Sequence, residues 1–280
     1  MNDELEIGFG ADKSKKDRRD FKDSKIAFEY PYPESGKTDI DILAVEYQRK
    51  IGACTAALKT YIEWLYYKKT GTYIRLSMAF LYIVTKLYID KNRTEGSSLR
   101  SALKAAFKYG VCKEDTFPSN FKLTHEQFIS QEIPQKAWTE ALEYTIGGYI
   151  NIPIDRSLLS AALDKYSLLY VRFSIDKNWW TPTWDAKDIL PLKPPIDTPT
   201  GHAVILNGYD LSKIKLEVDG RNTWSVLWAN KGNFYTNYLP TEAWAVTLDS
   251  QMHLKDNDII VLDSVWRKLL DVLRKVGIIH

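Results

Sequence analysis

The sequence predicts an α+β protein of two lobes, a helical lobe followed by a β-rich one, with a cleft between them. Two observations carry the architecture: apolar residues recur at helical spacing through residues 55–109, and from Tyr166 onward the pattern switches to short strand-like runs. A third points to where chemistry would sit. Cys54 lies among small residues at the head of the first helical stretch, and His202 opens one of the strand-like runs. With 280 residues, 45% hydrophobic and 26% charged, the chain is long enough to bury a large core or two lobes.

Taken in order, residues 55–68 form the first predicted helix, with Leu58, Tyr61, Ile62 and Leu65 on one face. Helices are predicted again at 77–89 and 98–109, each with apolar residues three or four apart. Strands are predicted at 167–175, 203–209, 213–218 and 224–228, and Asp219-Gly220 is a short-range hairpin signal between the last two. The long stretch between the first two strands carries Trp179, Trp180 and Trp184 and then four prolines, at 191, 194, 195 and 199. A loop of that length suggests an apolar lid, a docking surface for a partner, or packing at the lobe boundary. Residues 264–276 have helical spacing with Gly277 as a stop signal, and such a helix would cover the adjoining lobe or dock in an assembly. The expected organisation is therefore an N-terminal arm at 1–45, a helical lobe at 46–165, a β-rich lobe at 166–260 and a C-terminal helix at 261–280.

Charge and composition bound the partners. A net charge of +2 from 38 basic and 36 acidic residues gives no broad cationic field, so nucleic acid is not expected as the primary partner. The basic cluster at 13–19 is interrupted by Asp17 and flanked by Asp12 and Asp20, and it reads as a solvated arm. The N-terminus lacks the basic flank and apolar run of a signal peptide, and no run of apolar residues is long enough for a membrane helix. A soluble protein of a reducing, intracellular compartment is expected, with Cys112 a free thiol rather than a bridge partner of Cys54. Histidines at 125, 202, 253 and 280 and the two cysteines show neither CxxC nor HExxH spacing, and no glycine-rich phosphate loop occurs, so no metal and no cofactor are expected.

The run Gln48-Arg49-Lys50-Ile51-Gly52-Ala53-Cys54-Thr55-Ala56-Ala57 places a thiol at the start of a helix. There the unpaired amides favour an anion, and a neighbouring imidazolium would lower the thiol pKa further and expose a nucleophilic thiolate. His202, in Gly201-His202-Ala203-Val204, is the candidate base. Gln48, six positions before Cys54, could join the Cys54 backbone N–H in holding the oxyanion of an acyl-transfer intermediate.

These motifs resemble the papain family of cysteine peptidases, with its Gln-(five residues)-Cys spacing, its Gly-Ser-Cys segment and its later Gly-His-Ala strand. Gly52-Ala53-Cys54-Thr55-Ala56 is most similar to the Gly-Ser-Cys-Thr-Ala variant of a branch found in microbes and large DNA viruses. The resemblance runs on through Leu76-Ser77-Met78-Ala79-Phe80-Leu81-Tyr82, Gly110-Val111-Cys112-Lys113-Glu114 and Asn237-Tyr238-Leu239-Pro240, and spans about residues 17–245.

The resemblance implies a papain-like two-lobed fold and peptide-bond hydrolysis by a Cys54–His202 dyad with Gln48 as oxyanion donor. It aligns Gly96 and Ser97 with a Gly-Gly pair that binds extended substrate. The family's Asn-Ser-Trp-Gly segment, whose Asn orients the imidazole, corresponds to the stretch 223–232. Read from the strand onset, Trp228 falls at the Asn position, and a two-residue shift brings Asn230 there, which makes Asn230 the expected orienting residue. Secreted relatives carry a folded inhibitory pro-segment for which the residues before Gln48 are too few, so another control of activity is expected. The partner implied is a polypeptide substrate. The altered Asn-Ser-Trp-Gly segment, Ser97 and the added C-terminal helix support a second reading. It is a papain-fold protein with a weak or lost site and a binding or structural role, for example a minor component of a virus particle, assembling through the Trp179 loop or C-terminal helix.

Overall fold

The computed structural model describes residues 6–18, 20, 22–23, 26–29, 31–175, 179, 189–190, 201–213 and 216–248. The predicted C-terminal helix at 261–280, and the rest of the loop around Trp180, Trp184 and the four prolines, lie outside the described residues.

A 3₁₀ turn, Cys54–Ala57, leads directly into α2 (Leu58–Thr70), after the short elements β1 (Ala11–Asp12), α1 (Ile26–Glu29) and β2 (Ser35–Lys37). Helix α2 ends at Gly71, which takes φ +71° and returns its N–H to the Tyr67 carbonyl, a left-handed cap that glycine adopts without a Cβ penalty. Ser77 caps α3 (Met78–Val84) by accepting from the Phe80 N–H, and all seven residues of this helix are buried, so it runs through the core rather than along its surface. It continues into a π-helical turn, Thr85–Asp90, where the Thr85 hydroxyl donates to the Leu81 carbonyl. Ser98 then caps α4 (Leu99–Tyr109), which follows β3 (Ser97–Ser98). The predicted helices at 55–68, 77–89 and 98–109 are thus present, the first beginning as a 3₁₀ turn. Helices α5 (His125–Ile129), α6 (Gln135–Ala141) and α7 (Arg156–Tyr166) add to them.

The sheet contains β4 (Gly148–Asn151), β5 (Leu169–Ser174), β6 (Ile189–Leu190), β7 (Gly201–Asp210), β8 (Glu217–Arg221), β9 (Asn233–Thr236) and β10 (Glu242–Thr247). Its order is β4-β10-β5-β7-β8-β9-β6, with β2 also on β7, and all pairs are antiparallel except β6 with β9. Nine of the ten residues of β7 are buried, and β5 is buried except at Ser174. Helix α7 and the Cys54 turn both pack on β7, which explains its nearly continuous apolar sequence.

Two expectations for this half are corrected. Asp219-Gly220 lies inside β8 rather than in a hairpin turn, because the chain reverses between Asp210 and Glu217. Residues 224–228 are a loop and not a strand: Ser225 and Ala229 take positive φ (82° and 46°), which breaks the extended backbone, and the next strand begins at Asn233. Among the described residues no helix is long and apolar enough to cross a membrane.

Candidate active site

The 3₁₀ turn begins where the Ala53 N–H closes onto Ile51 O at 2.7 Å and the Ala56 N–H onto Ala53 O at 2.9 Å. Gly52 is tightly enclosed: a Cβ there would lie 3.0 Å from the Phe9 carbonyl oxygen and 3.1 Å from the Gly96 nitrogen. Cys54 is fully buried against β7. Burial pushes its thiol up to about 11, and backbone hydrogen bonds from Ala203 and Gly10 only partly offset that. The lowered pKa expected of a helix-start cysteine is therefore not found in this closed arrangement, because removing water from the sulfur outweighs the local dipoles.

His202 sits on β7 opposite Phe173. One ring nitrogen, Nε2, lies 2.6 Å from Asn222 Oδ1. That oxygen also accepts from the Thr223 N–H at 2.6 Å, which identifies it as the amide's oxygen and makes Nε2 the protonated nitrogen. Nδ1 then carries the lone pair, and it is buried without a hydrogen-bond partner. The Trp224 indole stacks on the imidazole with centroids 4.2 Å apart and planes 26° apart, and Trp179 meets it edge-on at 6.3 Å. Burial in this aromatic cage lowers the imidazole to about 4, against the opposing effect of Asn222, so His202 is neutral at physiological pH.

Asn230 does not reach the imidazole. Its backbone pairs with Asn233, and the residue at His202 is Asn222. Asn222-Thr223-Trp224-Ser225 resembles Asn-Ser-Trp-Gly, with Ser225 holding a glycine-like φ of 82°, and because 224–228 is a loop rather than a strand this stretch begins eight residues before Asn230.

Gln48 is bound to the same loop. Its N–H donates to Thr223 O at 3.0 Å, Tyr47 bridges Trp224, and its side-chain Oε1 accepts from the Thr223 hydroxyl at 2.5 Å. The Nε2 donors point instead at Ile51 O (2.8 Å) and Gly8 O (2.9 Å). The Gly8 carbonyl also accepts from the Trp224 indole N–H at 2.7 Å.

Gly8 belongs to a segment, residues 6–12, that carries no motif or periodicity pointing to this place. It crosses between Cys54 and the strand Ser97–Ser98 like a bound peptide. Gly10 N–H donates to Gly201 O at 3.3 Å, Ser97 N–H donates to Gly10 O at 2.7 Å, and Ala11–Asp12 pair in parallel with Ser97–Ser98. Arg172 Nε donates to Ala11 O at 2.7 Å. Outside the cleft Glu6 pairs with Arg49 at 3.1 Å and with Lys50 at 3.2 Å. Glycine is required at both crossing points: a Cβ on Gly8 would strike the carbonyls of Ile51 and Arg49, and one on Gly10 would strike Gly96. The structure thus places Cys54, Gln48, Gly96 and Ser97 against the segment 6–12, holds His202 on Asn222 of the loop that Gln48 also binds, and leaves Asn230 outside their hydrogen bonds. Among the described residues no hydrogen bond joins Cys54 to His202.

No protein-family model matches the chain, and no curated protein matches it in sequence. Solved structures do. Xylellain, a cysteine protease from Xylella fastidiosa, superposes with a TM-score of 0.74 at 23% identity, covering 89% of this chain and 99% of that one. Digestive procathepsin L 3 of the Tenebrio molitor larval midgut matches with a TM-score of 0.58 at 15% identity, over 88% of this chain and 75% of that one. Recombinant stem bromelain precursor matches at 0.57 and 18%, over 88% and 77%. The chain has the α+β fold of papain-like cysteine proteases.

Proposed function

We propose that this papain-fold chain is a cysteine peptidase held latent by its own residues 6–12. The single observation that carries the reading is the Gly8 carbonyl. It takes a hydrogen bond from Gln48 Nε2, the donor a substrate carbonyl would need, while Gly10 of the same segment meets Cys54. With the segment displaced, the Cys54 thiol regains water and can transfer its proton to the free Nδ1 of His202, whose other nitrogen is held by Asn222.

The thiolate would attack a peptide carbonyl carbon, and the C=O electrons would move to an oxyanion held by Gln48 and the Cys54 backbone N–H. The His202 imidazolium would give its proton to the leaving amine as the C–N bond breaks. The resulting thioester would then be hydrolysed by a water that loses its proton to His202, which regenerates the thiol. Ser97 would pair with the substrate backbone as it now pairs with Gly10 and Ala11, with Gly96 leaving room for the close approach.

The test is hydrolysis of an unfolded polypeptide by the full-length chain carrying Gly8→Val and Gly10→Val, which cannot seat the segment. Cleavage is expected, and it should vanish with Cys54→Ala. Persistence of cleavage in the Cys54→Ala version, or none in either, would defeat the reading.

A further inference from the structure

Behind β3, the π-helical turn Thr85–Asp90 directs two charged side chains inward. Lys86 is buried, and its Nζ donates to Gly96 O at 2.6 Å and pairs with Asp90 Oδ2 at 3.2 Å. The same Asp90 oxygen accepts from the Ser97 hydroxyl at 2.7 Å. On its other side, Gly96 donates its N–H to the Tyr82 hydroxyl at 3.2 Å. Both backbone groups of Gly96, held at φ +77°, and the side chain of Ser97 are therefore tied to this turn and to α3.

A buried ion pair contributes little net stability, since desolvation cancels most of the attraction, and an apolar pair would fill the same space. Here the hydrogen bonds beyond the pair itself all go to Gly96 and Ser97, whose outward edge holds a peptide: the Ser97 N–H meets Gly10 O. Ser97 is no obstacle to such pairing, because its hydroxyl turns inward to Asp90 and leaves its backbone N–H for the cleft.

We propose that Lys86 and Asp90 are positioning residues for peptide binding, fixing Gly96–Ser97 so that the Ser97 N–H faces a peptide carbonyl. The kinetic part of this inference rests on the peptidase reading; the binding part does not. The loss of one such charge-assisted anchor is expected to weaken peptide pairing by about tenfold.

The test uses the full-length Gly8→Val, Gly10→Val chain as parent and adds Lys86→Met or Asp90→Asn. A synthetic peptide of residues 6–12 is expected to bind about tenfold more weakly to either variant, and KM for a peptide amide should rise similarly. Alkylation of Cys54 by iodoacetamide, which has no backbone for the strand to hold, and kcat should stay within about twofold of the parent. Unchanged peptide affinity would overturn the proposal. So would a parallel fall in affinity and alkylation rate, which marks general loosening. If Lys86→Met does not fold, Ser97→Ala removes the Asp90 contact alone and should weaken peptide binding by a smaller factor; no weakening counts against the proposal. Should the parent show no Cys54-dependent hydrolysis, the peptidase reading fails, while peptide affinity still decides the role of Lys86 and Asp90.

Discussion

Asn222 Oδ1 accepts from both His202 Nε2 and the Thr223 N–H, so it fixes at once the tautomer of the imidazole and the direction of its lone pair. Replacing it removes the fixing group and leaves His202 in its aromatic cage. In the segment-displaced chain, Asn222→Ala is expected to lower kcat about 10- to 100-fold, part of what positioned acid–base catalysis supplies. Asn230→Ala should change kcat less than twofold, because Asn230 pairs only along the loop. Measuring the two variants side by side checks the assignment. Cys54, His202 and Gln48 stood out in the sequence as candidates because each sits in a short motif whose neighbours are small or regularly spaced. Asn222 was not, because a serine stands where the motif has glycine and three apolar residues after it imitate a strand.

Helix α2 carries a charged group inside the protein. Lys59 is buried with Glu46 at 2.5 Å and Glu63 at 2.8 Å, Glu63 also accepts from the Leu76 N–H at 2.6 Å, and Arg75 reaches Glu46 at 3.1 Å. Burial raises Glu63 to about 7 despite Lys59, whereas at Glu46 the attraction of Lys59 and Arg75 outweighs burial and lowers the carboxyl. This arrangement ties the residues before Gln48 and the start of α3 to the helix behind Cys54. Lys59→Met would strand the Glu63 charge and is expected to cost about 3–5 kcal/mol, read from the denaturant midpoint. The sign with pH follows from Glu63. A folded-state carboxyl raised above its unfolded value binds more protons when folded, so stability falls as pH rises from 4.5 through the folded value. The loss in Lys59→Met should therefore be larger at pH 8 than at pH 5. Helices α2, α3 and α4 were readable from apolar spacing. Strand β9 was not, because its four residues are preceded by a loop with four positive-φ residues, Ser225, Ala229, Lys231 and Gly232.

Across the whole molecule, the thiol lies at the head of a helix, the imidazole on the central strand, and the N-terminal segment over both. The α+β class was legible because the periodicity changes once, after residue 166. The segment at 6–12 was not, since two glycines and no periodicity read as an arm, and only the Gln48, Trp224 and Ser97 donors that meet its carbonyls give it a place. With that segment seated, a buried thiol at about 11 and a histidine at about 4 cannot form a thiolate–imidazolium pair at neutral pH. The most direct measurement is the rate of Cys54 alkylation by iodoacetamide against pH, read by intact mass, for the wild-type chain and for Gly8→Val, Gly10→Val. The wild-type rate is expected to be slow at pH 7 and to climb steadily above pH 9. The variant should react at least about a hundredfold faster at pH 7 with a much flatter profile. Equal rates at pH 7, or a variant as dependent on high pH as the wild type, would contradict the claim that residues 6–12 hold the thiol silent.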